Sequence, residues 1–146
     1  MLVLHLLSIG LWLGCVLTEA LFERALLGQG RASELLLADL HKRVDIWVEI
    51  PAFMAVVVTG GLILAQVPPS FWLALKVGLG LLAVLANSLC VGVVFARAKA
   101  AHAGQWERFE QLDSVQHKLG AIVLVGMLGA LLVGLSLATV VKAGVS

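Results

Sequence analysis

"FWLALKVGLGLLAVLANSLCVGVVFA", residues 71–96, holds one charged residue, Lys76, in an otherwise apolar or small run. About 20 helical residues cross a hydrocarbon core, so this stretch predicts a membrane-spanning helix. The composition of the chain agrees. Its 146 residues are 61% hydrophobic and 13% charged, and mean hydropathy is +1.05. A soluble domain is roughly half apolar and a quarter charged, so the lipid bilayer is the expected solvent. Net charge is +1, and no long basic run exists to bind nucleic acid.

Working outward, three further stretches are long and apolar enough to span: about Leu2–Phe22, Ile46–Gln66 and Leu119–Val141. "VPPS" (67–70) joins the second span to the third, because two prolines stop one helix and open the next. The other connections, Glu23–Asp45 and Arg97–Lys118, are longer and polar. The chain therefore reads as one all-α domain, a four-transmembrane-helix bundle over residues 1–146. The first segment lacks a basic start and a small-residue cleavage site, and is expected to be a retained helix. Eight of the ten basic residues fall in the two polar connections: Arg24, Arg31, Lys42, Arg43, Arg97, Lys99, Arg108 and Lys118. Lys142 lies at the other end, and Lys76 within a span. Positive-inside bias places these connections in the cytoplasm and both termini on the outer side; in a bacterium this would be the inner membrane. Cys15 and Cys90 form no CxxC pair or disulfide framework.

The halves resemble each other. "FERAL" (22–26) and "FARAK" (95–99) close the first and third spans, while "LHKR" (40–43) and "QHKL" (116–119) open the second and fourth. This is a weak tandem two-helix repeat, with a pseudo-twofold axis along the membrane normal. Spans one and three are expected on one diagonal, and spans two and four on the other.

Ionisable groups within a span are costly and point to function. His5 and Lys76 lie at about the same depth in parallel spans, given a rise of ~1.5 Å per residue. A neutral imidazole ligates haem iron or copper. Lysine ligates when deprotonated; as a cation it holds a carboxylate. The alternative is that His5 is wetted at the interface and Lys76 snorkels outward. His5, Ser8, Trp12, Cys15 and Glu19 form one helical stripe, and Lys76, Gly80, Ala83, Asn87 and Cys90 form another, so both faces are expected to look inward. Ser8, Cys15, Asn87 and Cys90 read more simply as packing residues. Glu19 is expected to pair with Arg24 or Arg97, or to carry protons. His41 and His117 occupy equivalent positions and are candidates for a second haem, with Lys42, Arg43 and Lys118 receiving propionates; the plainer reading is two wet interfacial histidines. In span two, Asp45 and Glu49 lie one turn apart and Pro51 follows, either as an early-helix proline or as a kink. Trp12, Trp47 and Trp72 read as interfacial belts or cofactor packing.

"HLLSIGLWLG" (5–14), a basic loop, "IPAFMAVVVTGGLIL" (50–64) and "FWLALKVGLGLL" (71–82) resemble the HemJ-type protoporphyrinogen oxidases in order and spacing over nearly the whole chain. The resemblance implies a bacterial four-helix membrane protein that binds haem b. The family's helix 1 histidine falls on His5, its helix 3 lysine on Lys76, and its helix 2 proline on Pro51. There are departures. "VLTEALFERAL" replaces the aromatic-rich exit from helix 1, and "LANSLC" replaces a tyrosine-histidine pair. The pattern is also similar to the CopD-type copper-resistance membrane domain.

Three functions are carried forward. The first is a haem b redox protein, with His5 as axial ligand and Lys76 as second ligand or propionate partner. It would oxidise protoporphyrinogen IX, or only transfer electrons, to quinone or a respiratory chain. The second is copper handling, drawing on Cys15, Cys90, Met54, Met127 and His5. The third is a small subunit of a larger membrane complex; a homodimer is equally compatible with the sequence.

Overall fold

The computed structural model describes the backbone of residues 1–143 and the side chains of residues 1–137; the side chain of Lys142 lies outside them. Among the described residues all regular structure is helical. Helix α1 is Leu2–Leu26, α2 is Arg31–Val44, α3 is Ile50–Leu64, α4 is Phe71–His102 and α5 is Trp106–Ala143. A π-helical turn, Asp45–Glu49, joins α2 to α3 without a break. Four helical lengths are long and apolar enough to cross a membrane: α1, α2 through α3, α4 and α5.

The helices are longer than the apolar spans. The connections that read as polar loops are largely helix: α2 fills most of 23–45, and the ends of α4 and α5 fill most of 97–118. Only residues 27–30 and 103–105 turn the chain at this face. Gly28, Gly30 and Gly104 there hold φ values of 75°, 101° and 68°, backbone that a Cβ disfavours. A helix of 32 residues is ~48 Å long against ~30 Å of hydrocarbon, so α4 and α5 project beyond lipid on the loop face. The projecting ends form their own core of Ala38, Ala98, Ala100, Ala101 and Phe109. Arg31 stacks on Trp106 4.5 Å from the ring centroid and pairs with Glu110 at 3.3 Å, which ties α2 to α5. At the opposite face, Pro68 and Pro69 separate α3 from α4, and Ser70 caps α4 by accepting from the Leu73 N–H at 3.2 Å.

In the membrane part α1 packs along α3, and α4 packs along α5. The two pairs meet around Trp12, Ala52, Phe53, Ala83, Ala86, Val123 and Met127. Small residues allow the α4–α5 approach: a Cβ on Gly126 would lie 3.0 Å from the Leu79 carbonyl oxygen. Leucines such as Leu7, Leu11, Leu85 and Leu132 remain exposed, as a lipid-facing surface requires. Trp47 and Trp72 are exposed and Trp12 is buried, so the first two fit interfacial belts and the third belongs to the core.

The π turn has a local cause. Pro51 has no N–H to donate to the Trp47 carbonyl, and its ring collides with that carbonyl in an α-helix. Immediately before it the Ile50 N–H bonds the Asp45 carbonyl, five residues back, and this wider turn relieves the clash. The helix continues, with Asp45 and Glu49 both turned into the bundle at 1% and 3% exposure.

Candidate functional site

The buried face of α1 comprises His5, Ser8, Trp12 and Cys15, the stripe expected from 3.6-residue periodicity. It organises three polar layers along the bundle.

The first layer lies toward the "VPPS" face. His5 is buried, and its Nδ1 is 2.8 Å from Thr59 Oγ1 on α3. Thr59 already donates its hydroxyl hydrogen to the Ala55 carbonyl, so toward His5 it can only accept. Nδ1 therefore carries the ring hydrogen, and the neutral ring keeps its lone pair on Nε2. The ring lies against Gly60, where a Cβ would stand 3.1 Å from Cε1. Lys76 is half-buried and within electrostatic range of His5. It runs over Gly134, where a Cβ would meet its Cε at 3.0 Å and Nζ at 3.3 Å. In each half, then, a nitrogen-bearing side chain on the first helix lies over a glycine on the second.

The second layer is the middle one. Trp12 Nε1 donates to Glu49 Oε1 at 3.2 Å and to Asn87 Oδ1 at 3.3 Å. One atom each from Cys15, Glu19 and Glu49 lies within 4.8 Å of the others, and the Asp45 carboxyl reaches both Glu19 and Glu49. Asp45 Oδ2, Glu19 Oε1 and Asn87 Nδ2 are buried without a hydrogen-bond partner.

The third layer lies toward the loop face and centres on Arg97, which has no exposed surface. Its guanidinium binds Glu23 at 3.3 Å, Asp113, and His41 Nδ1 at 2.7 Å. Gln116 also donates to His41 Nδ1 at 2.9 Å. With two donors on Nδ1, the ring hydrogen is on Nε2, which faces the Glu19 carbonyl at 3.3 Å. His117 is exposed and bridges Glu23 at 3.0 Å and Asp113 at 3.4 Å.

Against the sequence reading, His5 and Lys76 enter one layer, each on a glycine of the neighbouring helix. His41 and His117 share a network but not an environment: His41 is fully enclosed with both nitrogens occupied, and His117 is open to solvent. Arg43 and Lys118 are exposed. Arg97 pairs with Glu23, one turn beyond Glu19, and with Asp113. Of the sulfur residues considered for copper, Met54 is half exposed while Met127 and Cys15 are buried. Cys15 and Cys90 are both free. His102 pairs with Asp39 at 2.8 Å. Arg97, one of two candidate partners of Glu19 by sequence, is instead the enclosed centre of the loop-face network. Its signal was the small-residue setting "ARAKAA" (96–101), which admits close helix packing around a long side chain.

Comparison with models of known protein families, with curated proteins and with solved structures returns no match for this chain.

Proposed function

We propose that this integral membrane bundle is a haem b-binding redox protein in which His5 Nε2 is an axial ligand. One observation carries the reading: the His5 imidazole is buried in the bundle, its Nδ1–H is engaged by Thr59, and its lone pair is left on Nε2. Metal-ligating histidines are oriented in this way by a hydrogen bond on the opposite nitrogen. Gly60 leaves room for the ring's Cε1 edge beside α3, and Thr59 fixes its tautomer. Lys76, in the same layer, neutralises a propionate or serves as the second ligand. Haem b supplies one-electron redox chemistry when bound, and the chain sets ligand, charge and access. Oxidation of protoporphyrinogen IX, with electrons passed to quinone or a respiratory chain, is the reaction implied by the family resemblance. The loop face, which holds eight of the ten basic residues, is cytoplasmic by the positive-inside rule.

The test is an absorption spectrum and haem assay on protein purified from haem-replete cells. We expect a Soret band that His5→Ala abolishes. Thr59→Val should retain the band and shift the midpoint potential, because the opposite ring nitrogen loses its hydrogen-bond acceptor. Colourless wild-type protein, or an unchanged spectrum in His5→Ala, refutes the proposal.

A further inference from the structure

The middle layer has a chemistry of its own, separate from His5. A thiol and three carboxyls from α1 and the π turn converge there. Among the described residues no lysine or arginine pairs with Cys15, Glu19, Asp45 or Glu49. The loop-face carboxylates differ, since Glu23 and Asp113 share the Arg97 guanidinium. Enclosed carboxylates need a counter-charge or a proton. Asp45 is 1% exposed, and one of its oxygens has no partner although its carboxyl touches both Glu19 and Glu49. The π turn also turns Asp45 and Glu49 toward the α1 stripe, and π turns in α-helices are frequent at functional sites.

We infer that Cys15, Glu19 and Glu49 form a binding site for one divalent transition-metal cation of the zinc class, with Asp45 positioning the two glutamates. Zinc accepts a mixed thiolate and carboxylate set, with ligand distances of about 2.0–2.3 Å. Ligand atoms within 4.8 Å of one another need only a small contraction to occupy three corners of a tetrahedron, with water as the fourth ligand. Carboxylates disfavour copper(I), which selects soft sulfur ligands. Trp12 Nε1–H holds Glu49 Oε1, the outer support expected of a ligating carboxylate. Binding releases the Cys15 proton and any proton held by the Glu19 and Glu49 carboxyls, and forms metal–sulfur and metal–oxygen bonds with no change in oxidation state.

The test is titration of the metal-free full-length chain in detergent with Co2+, followed by competition with Zn2+. We expect one-to-one binding and a near-ultraviolet thiolate-to-cobalt band that Zn2+ abolishes. Cys15→Ser should lose the band, Glu49→Gln should weaken binding about tenfold or more, and Cys90→Ser should keep the band. His117→Ala, in the Glu23–Asp113–His117 cluster that also brings ligand atoms together, should keep it too. Circular dichroism checks that each variant folds. Should Cys15→Ser not fold, mass spectrometry of wild-type protein decides, because Zn2+ should slow alkylation of Cys15 more than of Cys90. No thiolate band in wild type, a band that persists in folded Cys15→Ser, or equal alkylation of the two cysteines with and without Zn2+ overturns the inference. His5→Ala should leave the cobalt band intact, so this result and the haem result fail independently.

Discussion

Replacing Arg97 with alanine should be among the most damaging single changes in the chain, while the same change at Arg24 should be nearly silent. The two arginines are equivalent in "FERAL" and "FARAK", but only Arg97 is enclosed. Its side chain is 0% exposed, and the carboxylates of Glu23 and Asp113 are 12% and 13% exposed. Deleting it removes the buried cation between the two carboxylates, leaving Glu23 and Asp113 to His117 and Gln116, and His41 Nδ1 to Gln116. Breaking a buried pair costs about 3–5 kcal/mol, and the residual exposure of the carboxylates argues for the lower end. Loss of the guanidinium 5.4 Å from the Phe109 ring adds ~0.5–2 kcal/mol. A total of ~4 kcal/mol corresponds to a fall in melting temperature of roughly 10 °C for a chain of this size. Arg24→Ala should stay within about 0.5 kcal/mol of wild type, as surface changes do. The assay is thermal unfolding in detergent, followed by helical circular dichroism. Arg97→Met combined with Glu23→Gln and Asp113→Asn should recover much of the loss, since the stranded charges are then gone. The reasoning is refuted if Arg97→Ala falls within about 1 kcal/mol of wild type, if Arg24→Ala costs as much, or if the triple variant is no better than Arg97→Ala.

Three further substitutions test packing and polarity. Gly126→Ala should destabilise by about 1–3 kcal/mol, because its Cβ would meet the Leu79 carbonyl and Ala83 Cβ at 3.0 Å; Gly92→Ala, with open space at its Cβ, should instead gain about 0.5–1 kcal/mol of helix stability, and melting curves read both signs. Trp12→Phe removes the donor shared by Glu49 and Asn87 and should cost about 1–3 kcal/mol, measured the same way; a neutral result would mean that those two acceptors find other donors.

Much of this bundle is legible in the chain because lipid imposes simple rules. Four apolar runs, the "VPPS" break and the α1 stripe follow from hydrophobic length, proline and helical period, each a local property. Residue count sets His5 and Lys76 at similar expected depths, since parallel helices rise at the same rate. Polar connections were harder to read. Composition shows that residues 31–44 avoid lipid, but it does not distinguish a solvated loop from an amphipathic helix that packs on its neighbours.

Tertiary structure decided which polar side chains matter and with whom they pair. Arg24 and Arg97 are the same residue in the same motif, and His41 and His117 are both followed by lysine, yet one of each pair is enclosed and the other is open. That difference depends on which helix covers each position, a long-range fact that the internal repeat hides. The gathering of Cys15, Glu19, Asp45 and Glu49 likewise needs α1 against a π turn, whose extra residue changes which side chains share a face. The sequence by itself determined a four-span helical membrane protein with a polar inner stripe; the packing of those spans determined where charge is neutralised and where it is left available, because electrostatics inside a bundle depend on neighbours distant in sequence.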